Sequence, residues 1–241
     1  MKVIEKLVKK RDDPWGAEGA TIAFLGDSVT QGCFEFLLKY PDSFETVFEY
    51  KSAFAAKVGE YLNLLFPTSQ VNIINAGLSG DGAGQGAARV QRDVIARHPD
   101  LTVVSYGLND SCAGKDGAGG YVENLRKIFT ALKEDGEEII FMTQNTFCTG
   151  VSPFITEWKQ INFANRFSEL SKEGVLELYF EEAKKLCAEM GVVVCDLNAA
   201  WVKMAQCGVN TTELLANKLN HPIRELHSYA AVKLVETMFE N

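Results

Sequence analysis

At 241 residues the chain is long enough for one domain with a substantial core, and no linker-like stretch divides it. A hydrophobic share of 46% against a charged share of 23% excludes a disordered chain, and no apolar run approaches the length of a membrane span. The formal net charge of −8 argues against nucleic acid and against stable association with an anionic membrane, because binding phosphate backbones needs clustered Lys and Arg.

Residues 1–10 begin basic but lack the continuous apolar stretch and small-residue cleavage site of an export signal. Residues 1–20 are expected to be an N-terminal extension packed on a domain of residues 21–241. The six cysteines, Cys33, Cys112, Cys148, Cys187, Cys195 and Cys207, contain no C-x-x-C pair and no metal-ligand rhythm. They read as reduced thiols in a cytoplasmic protein, with Cys187 and Cys195 as buried small hydrophobes.

Residues 21–25, an apolar run broken by Gly26, predict a buried parallel strand that delivers Ser28 onto a turn at its carboxyl end. Open α/β sheets place their chemistry there. Residues 30–50 carry Phe34, Phe36, Tyr40, Phe44, Phe48 and Tyr50 without clean periodicity, which predicts a long connection folded over the active edge. The spacing of Phe54, Val58, Tyr61, Leu62 and Leu65 predicts an amphipathic helix over 52–65, stopped by Pro67, and residues 71–74 form the second strand.

The stretch Gly82-Ala83-Gly84-Gln85-Gly86-Ala87 satisfies the dinucleotide fingerprint G-x-G-x-x-G/A. Residues 75–81 intervene between strand and fingerprint, however, where a nucleotide site keeps the junction tight. A helix is predicted over 87–97, a third strand over 101–106, and a flexible loop at Gly117, Gly119 and Gly120 before a helix over 122–133. A fourth strand over 138–143 leads into a loop at 144–154 that faces the active edge. A helical stretch over 158–190, bent near Gly174, precedes a fifth strand over 192–195. Helices over 198–207 and 224–239 complete the layer. Strands alternating with helices in this way predict a parallel sheet covered on both faces.

A serine hydroxyl is a poor nucleophile until a base takes its proton, so Ser28 requires a histidine. Of the three available, His98 falls at the opposite end of the sheet and His227 inside the last helix. His221 sits on a loop from which it can turn towards the sheet edge.

Four blocks, Gly26-Asp27-Ser28, Gly77-Leu78-Ser79-Gly80-Asp81, Gly107-Leu108-Asn109-Asp110 and His221-Pro222, together resemble those of the GDSL/SGNH hydrolase superfamily, over residues 21 to about 235. The resemblance implies a single-domain three-layer α/β/α sandwich with a five-stranded parallel sheet in the flavodoxin-like order 2-1-3-4-5. It also implies an esterase that works through an acyl-enzyme without cofactor or metal on a small-molecule ester. Ser28 would be the nucleophile, His221 the base, and the Ser28 N–H, the Gly80 N–H and the Asn109 side-chain amide the oxyanion donors. The base is expected to ionise near 6.5, shifted by its surroundings.

Lys218 stands where this superfamily usually has the triad Asp, three residues before the histidine. One extra residue in the turn would bring Asn217 into the acid's place; a main-chain carbonyl or Asp196 are the alternatives. A G-x-S-x-G elbow is missing, since Gly77-Leu78-Ser79-Gly80 is followed by Asp81. Two other readings remain open: an acyl-sugar-binding protein of little or no activity, and an acyltransferase using the same serine. The sequence leaves the oligomeric state unassigned.

Overall fold

The computed structural model describes residues 1–40 and 43–241, and side chains throughout these except at 38–40, 43 and 44. Helix α1 (Lys2–Asp12) is followed by strand β1 (Ala20–Gly26), the short helix α2 (Ser28–Gln31) and strands β2 (Cys33–Tyr40) and β3 (Ser43–Phe48). Helix α3 (Phe54–Leu65), strand β4 (Val71–Gly77), helix α4 (Ala83–Asp93) and strand β5 (Leu101–Ser105) come next. Helix α5 (Ala118–Glu134), strand β6 (Glu138–Met142), helices α6 (Trp158–Lys172) and α7 (Val175–Met190), strand β7 (Val193–Cys195), and helices α8 (Leu197–Gln206) and α9 (Arg224–Glu240) complete the chain.

Five strands form one parallel sheet in the order β4-β1-β5-β6-β7, which is the predicted 2-1-3-4-5. All residues of β5 and nearly all of β1 and β6 are buried, because helices cover both faces and leave no polar side to alternate with. Phe24, Val103, Phe141 and Ile140 lie fully inside, against Phe54, Val58 and Leu62 of α3, Leu125 and Phe129 of α5, and Leu234 of α9. Helix α1 buries Val3 and Leu7 in the same core. Gly174, in the left-handed region at φ 65°, separates α6 from α7 where the bend was expected.

The order of the sheet puts β1 between β4 and β5, with Gly26 level with Gly77 on one side and Ser105 on the other. The chain leaves β1 towards β4 and leaves β5 towards β6, in opposite directions along the sheet, so a crevice opens at the carboxyl ends of β1 and β5. The turns bearing Ser28, Gly80 and Asn109 all start there.

Three expectations are corrected. The stretch over 30–50 is not an irregular connection: β2 and β3 pair antiparallel, and register shifts between Cys33 and Phe36 and between Leu38 and Tyr40 break the period-2 alternation. Of its aromatics, the side chains of Tyr40 and Phe44 lie outside the described residues. Gly119 and Gly120 lie in the first turn of α5, where N–H groups lack intrahelical partners anyway and glycine costs little. Helix α4 starts at Ala83, four residues early, because Gly82 caps it and the Gln85 side chain accepts from the Gly82 N–H at 3.2 Å.

Candidate active site

Ser28 is the first residue of α2. Asp27 caps that helix, its Oδ1 accepting from the Val29 N–H at 2.9 Å, while its Oδ2 accepts from Gln144 Nε2 at 2.9 Å. Gln144 in turn accepts the Leu108 N–H at 2.9 Å, so one amide from the loop after β6 fixes both the Ser28 turn and the Asn109 turn. Burial pushes the Asp27 carboxyl up to about 7, against the hydrogen bonds from Gln144, Val29 and Thr30 that favour its anion.

His221 Nε2 lies 2.9 Å from Ser28 Oγ, and its Nδ1 lies 3.0 Å from the main-chain oxygen of Phe34 in β2. A carbonyl can only accept, so Nδ1 carries the proton and Nε2 presents its lone pair to the serine. The imidazole is 2% exposed, and burial pushes its ionisation down to about 4, well below the ordinary range.

Asn217 does not face the imidazole. Its Oδ1 accepts the N–H groups of Leu219, Asn220 and His221, each at 3.0 Å, and its Nδ2 donates to Asn220 Oδ1 at 2.9 Å. The amide is spent on the backbone of the turn, which corrects the expectation that it takes the acid's place beside Nδ1. Lys218 adopts a left-handed φ of 59° and sends Nζ away to the Glu213 carbonyl at 2.9 Å and carboxylate at 3.0 Å. Asp196 caps α8 and pairs with Thr143 and Lys184, so it too is committed elsewhere. The turn is closed by the Ala216 N–H on the His221 carbonyl at 2.7 Å and by Asn145 Nδ2 on the Asn220 carbonyl at 2.8 Å.

Gly80 has φ 84°, a conformation open to glycine, and a Cβ there would meet nothing within 4 Å. Among the described residues, neither the Gly80 N–H nor the Ser28 N–H is given to a protein acceptor. Asn109 donates one Nδ2 hydrogen to the Asp81 carbonyl at 2.7 Å, which fixes the amide and leaves the second hydrogen unused.

Arg89 is a member of this frame that the sequence reading missed. It is buried, its Nε donates to Asp81 Oδ2 at 2.5 Å, and its Nη atoms donate to the Ala76 and Gly26 carbonyls at 2.6 and 3.0 Å and to the Tyr106 hydroxyl at 3.0 Å. One guanidinium therefore ties the ends of β4, β1 and β5 and holds Asp81, whose carbonyl holds Asn109. An arginine three and six residues after Gly86 and Ala83, and so on the same small-residue face of the helix, was the available signal. The Phe34 carbonyl is the main-chain alternative that the sequence left open; nothing pointed to residue 34 as its source, because every residue has a carbonyl.

The fingerprint glycines do not form a pyrophosphate cradle. Asp110 Oδ1 accepts the Ala83 N–H at 2.9 Å and Gln85 takes the Gly82 N–H, so side chains of the protein already occupy the α4 N-terminus. His98 lies at the opposite end of the sheet in a left-handed turn, and His227 is buried in α9 with Nδ1 accepting the Phe54 N–H at 3.1 Å.

A doubly wound α/β sandwich with a serine–histidine pair at its switch point defines the class. Residues 24–228 match the model of the GDSL-like lipase/acylhydrolase family, and the chain belongs to that family. It is 32% identical over 79 residues, 33% of its length and 39% of the relative's, to an arylesterase of Vibrio mimicus. It is 30% identical over 92 residues, 38% and 40% of the two lengths, to an acetylxylan esterase of Geobacillus stearothermophilus. The matched stretches thus span about two fifths of these curated relatives. An acetyl-xylooligosaccharide esterase structure from Geobacillus superposes over 92% of this chain and 94% of its own with a TM-score of 0.67 and 21% identity. A two-domain esterase active on acetylated mannans covers 99% of this chain and 52% of its own with a TM-score of 0.67 and 16% identity. At these identities the structural likeness speaks for the fold.

Proposed function

We propose that the chain is a serine carboxylic ester hydrolase that removes short acyl groups, acetyl foremost, from carbohydrate alcohols through an acyl-enzyme. The observation that carries this reading is the Phe34 O···Nδ1–His221–Nε2···Oγ–Ser28 line, with contacts of 3.0 and 2.9 Å. Family membership supports the reaction class, and the names of two similar proteins, on acetylxylan and acetylated mannans, support the carbohydrate ester.

Ser28 Oγ attacks the ester carbonyl carbon while its proton passes to Nε2. The carbonyl oxygen becomes an anion, received by the Ser28 and Gly80 N–H groups and the second Nδ2 hydrogen of Asn109, which are preset and need not reorganise. The imidazolium returns the proton to the leaving alcohol. A water then gives its proton to Nε2 and attacks the acyl carbon; collapse restores the serine and frees the carboxylic acid. The Phe34 carbonyl holds the tautomer throughout but brings no full negative charge, so turnover is expected below that of a triad with a carboxylate. The six unpaired cysteines, four of them buried, support a reducing compartment.

Turnover of 4-nitrophenyl acetate and labelling by a fluorophosphonate test the reading. The parent should show both and Ser28→Ala neither, with circular dichroism unchanged. Labelling that survives in the variant would overturn the nucleophile, and binding of an acetylated oligosaccharide without turnover would make the chain a binding protein. Acetate transfer to an added polyol would make it a transferase.

A further inference from the structure

The carbonyl that holds His221 belongs to an irregular place in β2. Cys33 pairs with Phe48 and Phe36 with Thr46, so three steps along β2 face two along β3: a bulge at Phe34 and Glu35. A bulge takes its residues out of the ladder and re-aims them. Here the Phe34 carbonyl turns to Nδ1, and the Glu35 carboxylate meets Arg224, the first residue of α9. Arg224 donates Nη1 to Glu35 Oε1 at 2.6 Å and Nη2 to Glu35 Oε2 at 3.0 Å, and donates Nε to Glu49 Oε2 at 2.9 Å with Nη2 also on Glu49 Oε1. Glu49 directly follows β3, so the fork grips one carboxylate from each arm of the hairpin. The guanidinium also lies over the Phe34 ring, 4.4 Å from its centre. Arg224 is three residues beyond His221, so the clamp and the base ride on the same short piece of chain.

We propose that Arg224, gripping Glu35 and Glu49, is the positioning residue that sets the distance between the Phe34 carbonyl and His221, and so keeps the imidazole in the tautomer that can accept the serine proton. An aspartate in a triad reaches its histidine by its own side chain. A carbonyl in a two-stranded ribbon reaches only as accurately as the ribbon is held, and an isolated ribbon is held weakly. The bidentate fork supplies that accuracy. Two carboxylates against one guanidinium also leave the clamp with one net negative charge beside a base whose direct partner is neutral.

This inference rests on the ester hydrolase reading, and its test separates the two. Arg224→Met keeps the stem and removes the fork; Arg224→Lys keeps a charge; Glu49→Gln weakens one arm and spares folding if the first variant proves unstable. In 4-nitrophenyl acetate turnover, well below each variant's melting temperature, kcat should fall about 10- to 100-fold in Arg224→Met with KM within about twofold, since a small displacement of a proton acceptor has that effect. Arg224→Lys should recover part of the loss, and Glu49→Gln should show a smaller loss of the same kind. Independently of activity, the downfield Nδ1–H resonance of His221 should be present in the parent and lost or rapidly exchanging in Arg224→Met. A folded Arg224→Met with parental kcat, or a raised KM with unchanged kcat, would overturn the proposal, as would an unaltered Nδ1–H signal. A parent that fails to turn over while the signal still depends on Arg224 would remove the hydrolase reading and leave the clamp standing.

Discussion

His221 is where a single residue's environment sets the pH behaviour. In the proposed mechanism the neutral imidazole is the competent form, and burial pushes its ionisation down to about 4, so that form prevails everywhere above about pH 5. The kcat/KM profile for an uncharged acetate ester is therefore expected to be flat from pH 5 to 8 and to fall only as pH drops through about 4. Burial supplies the shift from 6.5 that the sequence left to the surroundings, and a midpoint found near 6.5 would contradict the enclosure of the ring. Asn217 gives a second prediction at the same scale. Replacing it by Ala strips three N–H groups of their acceptor, which costs about 1 to 3 kcal/mol and lowers kcat through the displaced turn. Asn217→Asp keeps that acceptor and should hold kcat near the parent's, without raising it, because the new charge faces the backbone. Thermal melts and steady-state kinetics on the two variants check both halves. The pairing of Ser28 with His221 was legible because serine and histidine are residue types that can be searched for; a main-chain partner for the histidine was one of the alternatives, but which residue supplies it was not legible.

At the level of elements, the turn that carries the serine is packed against a glycine of the neighbouring strand, Gly77. A Cβ on Gly77 would lie 2.3 Å from the Gln31 nitrogen and 2.7 Å from the Thr30 carbonyl carbon, both backbone atoms of α2 or its end. Gly77→Ala must push that helix away from the sheet and Ser28 with it. Overpacking of this kind costs about 1 to 3 kcal/mol, and kcat should fall more than stability alone explains, since Oγ leaves its 2.9 Å contact. A crystal structure or a kcat equal to the parent's would show whether α2 had moved. The strands of the main sheet were readable because burial on both faces leaves uninterrupted apolar runs such as residues 22–25 and 139–142. The β2–β3 ribbon was not, since its order comes from packing against α9 and from ion pairs to Arg224, contacts between segments far apart in the chain. Helix α4 was placed late for a related reason: the Asp110 carboxylate that satisfies its first turn comes from another loop.

For the whole molecule, four buried ionisable groups act against one another. His221 and His227 are pushed down to about 4 and about 3, so between pH 4.5 and 6.5 the unfolded chain binds protons that the folded one does not, and stability rises with pH. Asp27 and Glu137 are pushed up to about 7, so over the same window the folded chain binds protons that the unfolded one does not, and stability falls with pH. Two groups of each sign nearly cancel. The melting temperature is expected to be level from about pH 4.5 to 6.5, then to decline through pH 7 as the carboxyls ionise. Glu137→Gln, which keeps an acceptor for the Thr102 hydroxyl, removes one side of the balance. Stability should then climb across the window by about 1.4 kcal/mol per pH unit. Denaturant titrations at pH 5, 6 and 7 on parent and variant measure this, and equal slopes would reject the pairing.

The Phe34 carbonyl also changes what heredity can do to this centre. An acidic side chain is lost by one nucleotide change, whereas a peptide oxygen survives any substitution that leaves the path of the chain alone. The vulnerable events are insertions and deletions between residues 33 and 36, or a proline that redirects the ribbon. Alanine scanning at position 34 would leave that oxygen in place and report instead the loss of a buried ring that packs on His227 and under Arg224, so the scan would register the side chain and be blind to the atom proposed to hold the histidine.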